Sequence, residues 1–341
     1  MAEACQVAPG DAAQTSLSAG APLSLDQAVA RGEKLRENLE KALRGKSEVV
    51  RRTTETLVAG GHLLLEDVPG VGKTTLAHAL ARSIAGEFRR VQFTSDLLPG
   101  DLTGAAVPEL RGGQATGRFV FQPGPLFANV VLADEINRAS PKLQSALLEA
   151  MAERAVTVDG VTHPLPQPFL VVATQNPLEH HGTHPLPESQ LDRFLVRRSI
   201  GYPDAADEAA VLREDPAQSA LPTLEPVLTP VEVLAMQALA ARTKFDDKLV
   251  SYLLAIVQRT REHEALEVGV SPRGGIALRR AAQARALLDG RDFCIPEDVR
   301  DLAVDVLAHR VMLAARGPGS RGDGESAWIL REILDQTDVP L

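Results

Sequence analysis

Aromatic side chains are scarce in this chain: nine Phe, two Tyr and one Trp among 341 residues. A core must therefore be packed from Ala, Val and Leu, which the 44% apolar content can supply. Cysteine is nearly absent. Cys5 and Cys294 match no metal or redox spacing, which argues against a disulfide scaffold and suits a reducing compartment. Long hydrophobic runs are missing too; stretches such as Leu249 to Val257 fall far short of the roughly 20 residues a membrane helix needs. The first residues have neither the basic start nor the apolar middle of a secretory leader. Positive charge is in deficit, 36 Lys and Arg against 45 Asp and Glu, and the formal charge of −9 disfavours non-specific binding to nucleic acid or anionic membranes. These absences predict a cytoplasmic protein with no membrane insertion and no nucleic-acid partner.

Residues 1–22, rich in Ala, Gly, Ser and Gln, show no periodicity and are expected to form a disordered tail. Helical patterns follow at 24–43 and 47–59, the first opened by Ser24 and Gln27 in a capping-box spacing. Strand-length apolar runs then alternate with helical stretches: His62–Glu66, Arg90–Phe93, Val130–Asp134, Phe169–Ala173 and Phe194–Ile200. Most are continuously apolar, as parallel strands buried on both faces are, so the alternation predicts an α/β layer architecture over 23–205. Two segments interrupt it and read as inserted hairpins. Asp101–Gln122 turns at Gly112-Gly113, and Ala155–Phe169 turns at Asp159-Gly160. After Tyr202-Pro203 the pattern changes. A Pro-punctuated linker over 206–228 leads into a smaller domain over 229–341, read as helices only, near 230–242, 246–263, 272–289 and 296–313.

The first strand runs into Asp67-Val-Pro-Gly-Val-Gly-Lys-Thr-Thr75, and a helix starts at Lys73-Thr74. Strand, Gly-rich loop and helix together form a phosphate-binding loop. Gly70 and Gly72 let backbone N–H groups turn toward phosphate oxygens, with the helix N-terminus behind them. Lys73 is expected to reach the β- and γ-phosphates of ATP, and Thr74 to offer its hydroxyl to magnesium. The nucleotide-binding set is Asp67, Pro69, Gly70, Val71, Gly72, Lys73, Thr74 and Thr75. Asp67 stands where the usual pattern has its first glycine.

Val130–Ala133 ends in two carboxylates. Asp134 is expected to hold magnesium through water and Glu135 to activate the attacking water. The next apolar strand ends in Thr174-Gln175-Asn176, where the Asn176 amide could meet the γ-phosphate or the water. Loop, carboxylates and amide all fall at carboxyl ends of strands, where α/β sheets bind ligands. Arg193, just before the last strand, is expected at the same sheet edge, and Arg273, opening a helix of the second domain, could reach the phosphates as a lid closes. A surface salt bridge is the other reading of either arginine. His180, His181 and His184 read as a solvated loop, with metal binding as the lesser alternative. The Lys/Arg pairs at 51–52, 89–90, 197–198 and 279–280 read as solvated faces.

Several longer strings then resemble the MoxR family of AAA+ ATPases over about 45–313. They include Q-F-T-S-D-L-L-P-G-D-L-T-G, V-V-L-A-D-E-I-N-R-A, P-L-P-E-S-Q-L-D-R-F and S-P-R-G-G. The resemblance implies an AAA+ core with two inserted hairpins and an all-α lid. It makes Asn176 the sensor-one residue, Arg193 the arginine finger and Arg273 the sensor-two residue. It also implies a ring, typically a hexamer, with the site between subunits. The chaperone-like action implied is the maturation of metalloenzymes or of complexes with von Willebrand factor A domain proteins. Two rival readings remain: a nucleic-acid motor, and a nucleotide-gated scaffold with little hydrolysis. His181 and His184 stand where the family pattern has an acidic and an aromatic residue, and Gly45-Lys46 where a Gly-Gln pair is common.

Overall fold

Ser24 opens the first helix through a reciprocal cap. Its hydroxyl accepts from the Gln27 N–H at 3.3 Å, and the Gln27 side chain accepts from the Ser24 N–H at 3.1 Å, which starts α1 (Leu25–Ala42). The computed structural model describes residues 23–111, 114–176, 183–314 and 322–340. The expected tail, the Gly112-Gly113 turn, His180 and His181 lie outside them. A short turn leads to α2 (Ser47–Val58), which is buried along most of its length.

The next elements are β1 (Leu63–Glu66), α3 (Lys73–Ser83), β2 (Phe88–Gln92), α4 (Pro99–Thr103), β3 (Gly104–Arg111), β4 (Gln114–Pro123) and β5 (Val130–Asp134). They continue with α5 (Pro141–Glu153), β6 (Ala155–Val158), β7 (Val161–Pro164), β8 (Leu170–Gln175), α6 (Glu188–Leu191) and β9 (Val196–Arg198). Five strands form a parallel sheet in the order β2-β5-β8-β1-β9. Its middle strands are apolar on both faces because both are covered. Leu63, Leu65, Leu132 and Val172 join one buried cluster with α1, α2 and α3. Leu64, Val131 and Ala173, one residue out of step, join the other with Leu143, Leu147 and Phe194. The strand β2 lies at the edge, so it tolerates Arg89, Arg90 and Gln92 around buried Val91.

Both insertions are antiparallel hairpins. Asp159 and Gly160 take positive φ (50° and 78°), as a two-residue turn requires, and Val158 pairs with Val161. The longer hairpin, β3–β4, leaves the core at Gly104, where a Cβ would come within 2.2 Å of the Gln122 carbonyl oxygen. It exposes Leu110, Phe119 and Val120. The two hairpins meet where Phe121 stacks on His163, ring centroids 3.9 Å apart.

Beyond β9 come α7 (Ala205–Glu214), α8 (Pro216–Ser219), α9 (Pro230–Ala240), α10 (Asp247–Glu262), β10 (Leu266–Val268), α11 (Pro272–Leu288), α12 (Pro296–Leu307), β11 (Met312–Leu313) and α13 (Gly322–Asp335). A helical lid therefore follows the sheet, with three departures from expectation. The segment 206–228 is no bare linker, since Asp204 caps α7 by accepting from the Asp207 N–H at 2.8 Å. The region is not helices only: β10 and β11 pair as a small ribbon, and the helix expected to run to 313 stops at Leu307. A final helix, α13, was not foreseen. The lid also shares its core with the N-terminal helices, since Leu35, Val50 and Leu57 fall in one buried cluster with Val233, Met236 and Leu278. Charges reinforce that joint. Arg52 of α2 meets Asp305 of α12 and its own neighbour Glu55, both at 2.8 Å.

Candidate functional site

The loop after β1 is shaped by two glycines in left-handed conformations, Gly70 (φ 86°) and Gly72 (φ 98°). At Gly70 the dihedral alone requires glycine; at Gly72 a Cβ would also strike Leu43 Cδ1 at 2.6 Å. The first turn of α3 carries no side-chain cap, so its N–H groups face the loop's concavity as an anion site. Lys73 Nζ lies over the loop, donating to the carbonyls of Asp67 (2.7 Å) and Val68 (3.0 Å). Partial burial lowers its pKa, an effect opposed by the negative charges of Asp67, Asp134 and Glu135.

A cavity of about 320 Å³ opens above this loop. Gly70, Gly72, Lys73 and Thr74 line one side, and Asp134, Glu135 and Asn176 the other. The carboxylate of Asp134 is held at both oxygens. One accepts from the Thr174 hydroxyl at 2.6 Å, and the other meets Arg90 at 2.7 Å. Glu135 takes a left-handed backbone (φ 58°) that turns its side chain off the strand direction. Its N–H donates to the Thr174 hydroxyl oxygen at 2.9 Å, and its carboxylate accepts from Gln92 at 2.8 Å and pairs with Arg138 at 3.0 Å.

Magnesium asks for few protein ligands, all oxygen, with phosphate supplying others. The donor set fits: a hydroxyl (Thr74) and a carboxylate (Asp134) flank the anion site, and no group of three or more His, Cys, Asp or Glu among the described residues could hold a metal unaided. His184 is exposed, and its N–H donates to the Asn137 carbonyl at 2.6 Å. No helix among the described residues is long and apolar enough to cross a membrane.

Four residues singled out in the sequence do not line this cavity. Asp67 turns its carboxylate away from the cavity and accepts from Ser199, Ile200 and Gly201. The Val71 side chain packs against the apolar core instead. Arg193 is not at the phosphate edge of the sheet. It precedes β9, and a residue before a parallel strand lies at that strand's amino end, whereas the loop follows the carboxyl end of β1. Arg193 donates to the Leu148 carbonyl at 2.5 Å and lines a second cavity of about 400 Å³ with Gly61, His62 and Arg273. Arg273 is largely exposed there, 3.9 Å from Asp192. The lid does not bring it to its own chain's Lys73. Arg90, Gln92, Thr174 and Arg138 are the site residues that motif reading passed over. The only sequence signal for the first two is the alternation of polar side chains about Val91.

Comparison with known proteins agrees with this geometry. Residues 62–196 match the family model described as ATPase family associated with various cellular activities (AAA), and residues 258–332 match the AAA lid domain. The chain is 48% identical over 306 residues to the uncharacterized protein YeaC of Bacillus subtilis, covering 89% of this chain and 93% of YeaC. It is 42% identical over 278 residues to Chaperone MoxR1 of Mycobacterium tuberculosis, covering 79% and 72%. A crystal structure of a protein assigned as an ATPase from Cytophaga hutchinsonii superposes with a TM-score of 0.81 at 35% identity, over 93% of this chain and 98% of that one.

Proposed function

The chain belongs to the MoxR family of AAA+ ATPases, and on that premise we propose that it hydrolyses ATP to remodel a protein client. The observation that carries the reading is the convergence of Lys73, Thr74, Asp134, Glu135 and Asn176, from three separate strand ends, on one cavity. Lys73 and the N–H groups of the loop bind the phosphates. Thr74 and Asp134 are the residues that would hold magnesium, which when bound supplies charge neutralisation at the phosphate oxygens. Glu135 accepts the proton of the attacking water, and Asn176 orients that water or the terminal phosphate. Thr174 keeps the two acidic residues in register, touching the Asp134 carboxylate and the Glu135 backbone at once.

Arg193 and Arg273 lie beyond the amino end of β1, and four strand residues alone span roughly 10–13 Å. Their place in this reading is on the phosphates of a neighbouring copy, within a closed ring, a hexamer by family resemblance. The hairpins β3–β4 and β6–β7, joined through Phe121 and His163, are the surface that would move against the client. That client is a protein such as a metalloenzyme or a von Willebrand factor A domain partner. The test is Glu135→Gln, which should bind ATP normally while turnover falls by about 100-fold or more. Unchanged turnover would remove Glu135 from its role.

A further inference from the structure

Asp67 occupies the first position of the phosphate loop, yet its side chain contributes nothing to the phosphate cavity. It is largely buried, and its carboxylate is fully engaged. One oxygen accepts from the Val68 N–H at 3.1 Å; the other accepts from the Ser199 hydroxyl (2.9 Å), the Ile200 N–H (2.6 Å) and the Gly201 N–H (2.7 Å). A carboxylate receiving this many short donors makes strong, charge-assisted bonds. The segment it grips, 199–204, is the strap that leaves β9 and enters α7, on the way from the sheet to the lid. Among the described residues the strap is also held by the Tyr202 carbonyl, which accepts from Lys46 at 2.6 Å, and by the Ile200 side chain, which is buried in the apolar core. Through its own carbonyl, Asp67 also receives Lys73 at 2.7 Å. One residue thus touches the phosphate-binding lysine with its backbone and the exit of the sheet domain with its side chain. Glycine, usual at this position, could make only the first contact.

We propose that Asp67 is a positioning residue that latches the phosphate loop to the strap 199–204, so that occupancy of the loop and placement of the strap form one coupled equilibrium. The proposal rests on the nucleotide reading above. Coupling of this kind is reciprocal: whatever bound nucleotide does to the strap, the strap does to nucleotide affinity.

The experiment is residue-resolved hydrogen exchange on the full chain, with and without ATP, for wild type, Asp67→Gly and Asp67→Asn. The latch predicts that the Ile200 and Gly201 amides exchange at least about tenfold faster in Asp67→Gly, from the loss of charge-assisted acceptors. It also predicts that ATP slows these amides in wild type and leaves them unaffected in Asp67→Gly, although that variant still binds ATP. Asp67→Asn, which keeps one acceptor oxygen, should fall between the two, and it decides the matter should the glycine variant not fold. Wild-type exchange at Ile200 and Gly201 that ignores bound ATP would overturn the coupling, and unaltered exchange in the variants would overturn the latch. Failure of the wild type to bind ATP would count against the nucleotide reading instead, while the ATP-free comparison of Asp67→Gly with wild type would still decide the latch.

Discussion

Arg90 and Asp134 form an ion pair across the edge of the sheet, with two guanidinium nitrogens on one carboxylate oxygen at 2.7 and 3.2 Å. Asp134 is nearly buried, whereas the Arg90 side chain is about half exposed (50%). The arginine therefore stays well solvated, and the pair is worth at most about 1 kcal/mol.

That weakness sets the first expectation. Arg90 and a bound magnesium ion would compete for the Asp134 carboxylate, so Arg90→Ala should lower the magnesium concentration that half-saturates nucleotide binding by roughly threefold to fivefold. A magnesium titration of a fluorescent ATP analogue measures it. An unchanged requirement would mean that Arg90 is only a surface partner. A raised one would make Arg90 a phosphate ligand.

The second expectation concerns the separation of Arg193 from Lys73. If each working site is shared between two copies, Arg193→Ala and Glu135→Gln are each nearly inactive alone yet complement each other when mixed. In a random equal mixture about a quarter of the interfaces pair an intact Glu135 with an intact Arg193, so ATPase activity should recover toward that fraction of wild type. A mixture no more active than its components would place both residues in a single chain's site.

The central strands and the phosphate loop were legible in the sequence because each leaves a local trace. Strands buried on both faces, such as Val130–Asp134, read as unbroken apolar runs, and the left-handed backbone at Gly70 and Gly72 demands glycine. The ribbon β10–β11 left no trace, since Leu266–Val268 and Met312–Leu313 are too short to show a period. The helix α7 was hidden because none of its residues is buried, so no apolar stripe marks it. The contacts of Arg90 and Gln92 depend on which strand lies beside β5, and strand order is not written in local pattern. Arg193 was misplaced for a different reason: its motif was tied to the phosphates by chemistry, while its position before β9 already assigned it to the opposite end of the sheet.

The third expectation is a pH dependence that arises chiefly at His62. His62 precedes β1, is fully enclosed, and has both ring nitrogens committed. Nδ1 accepts from the Val171 N–H at 3.0 Å, which leaves Nε2 to donate to the Met151 carbonyl at 3.2 Å. Burial pushes its pKa down to about 4, and the nearby Arg154 and Arg280 charges act in the same direction against the Met151 contact. The neutral ring is thus retained in the folded chain at pH values where the unfolded chain, near 6.5, already takes up a proton. Between those values the unfolded state binds more protons, so stability is complete above about pH 6.5 and declines as the pH falls toward 4, by roughly 3 kcal/mol in total. His309, also buried and lowered in pKa, adds to the same trend. His62→Gln cannot titrate, so its thermal midpoint should fall less between pH 7.5 and 5 than that of wild type, even though it starts lower for want of an ideal fit. Equal slopes for the two proteins over that range would show that His62 is not a source of the acid sensitivity.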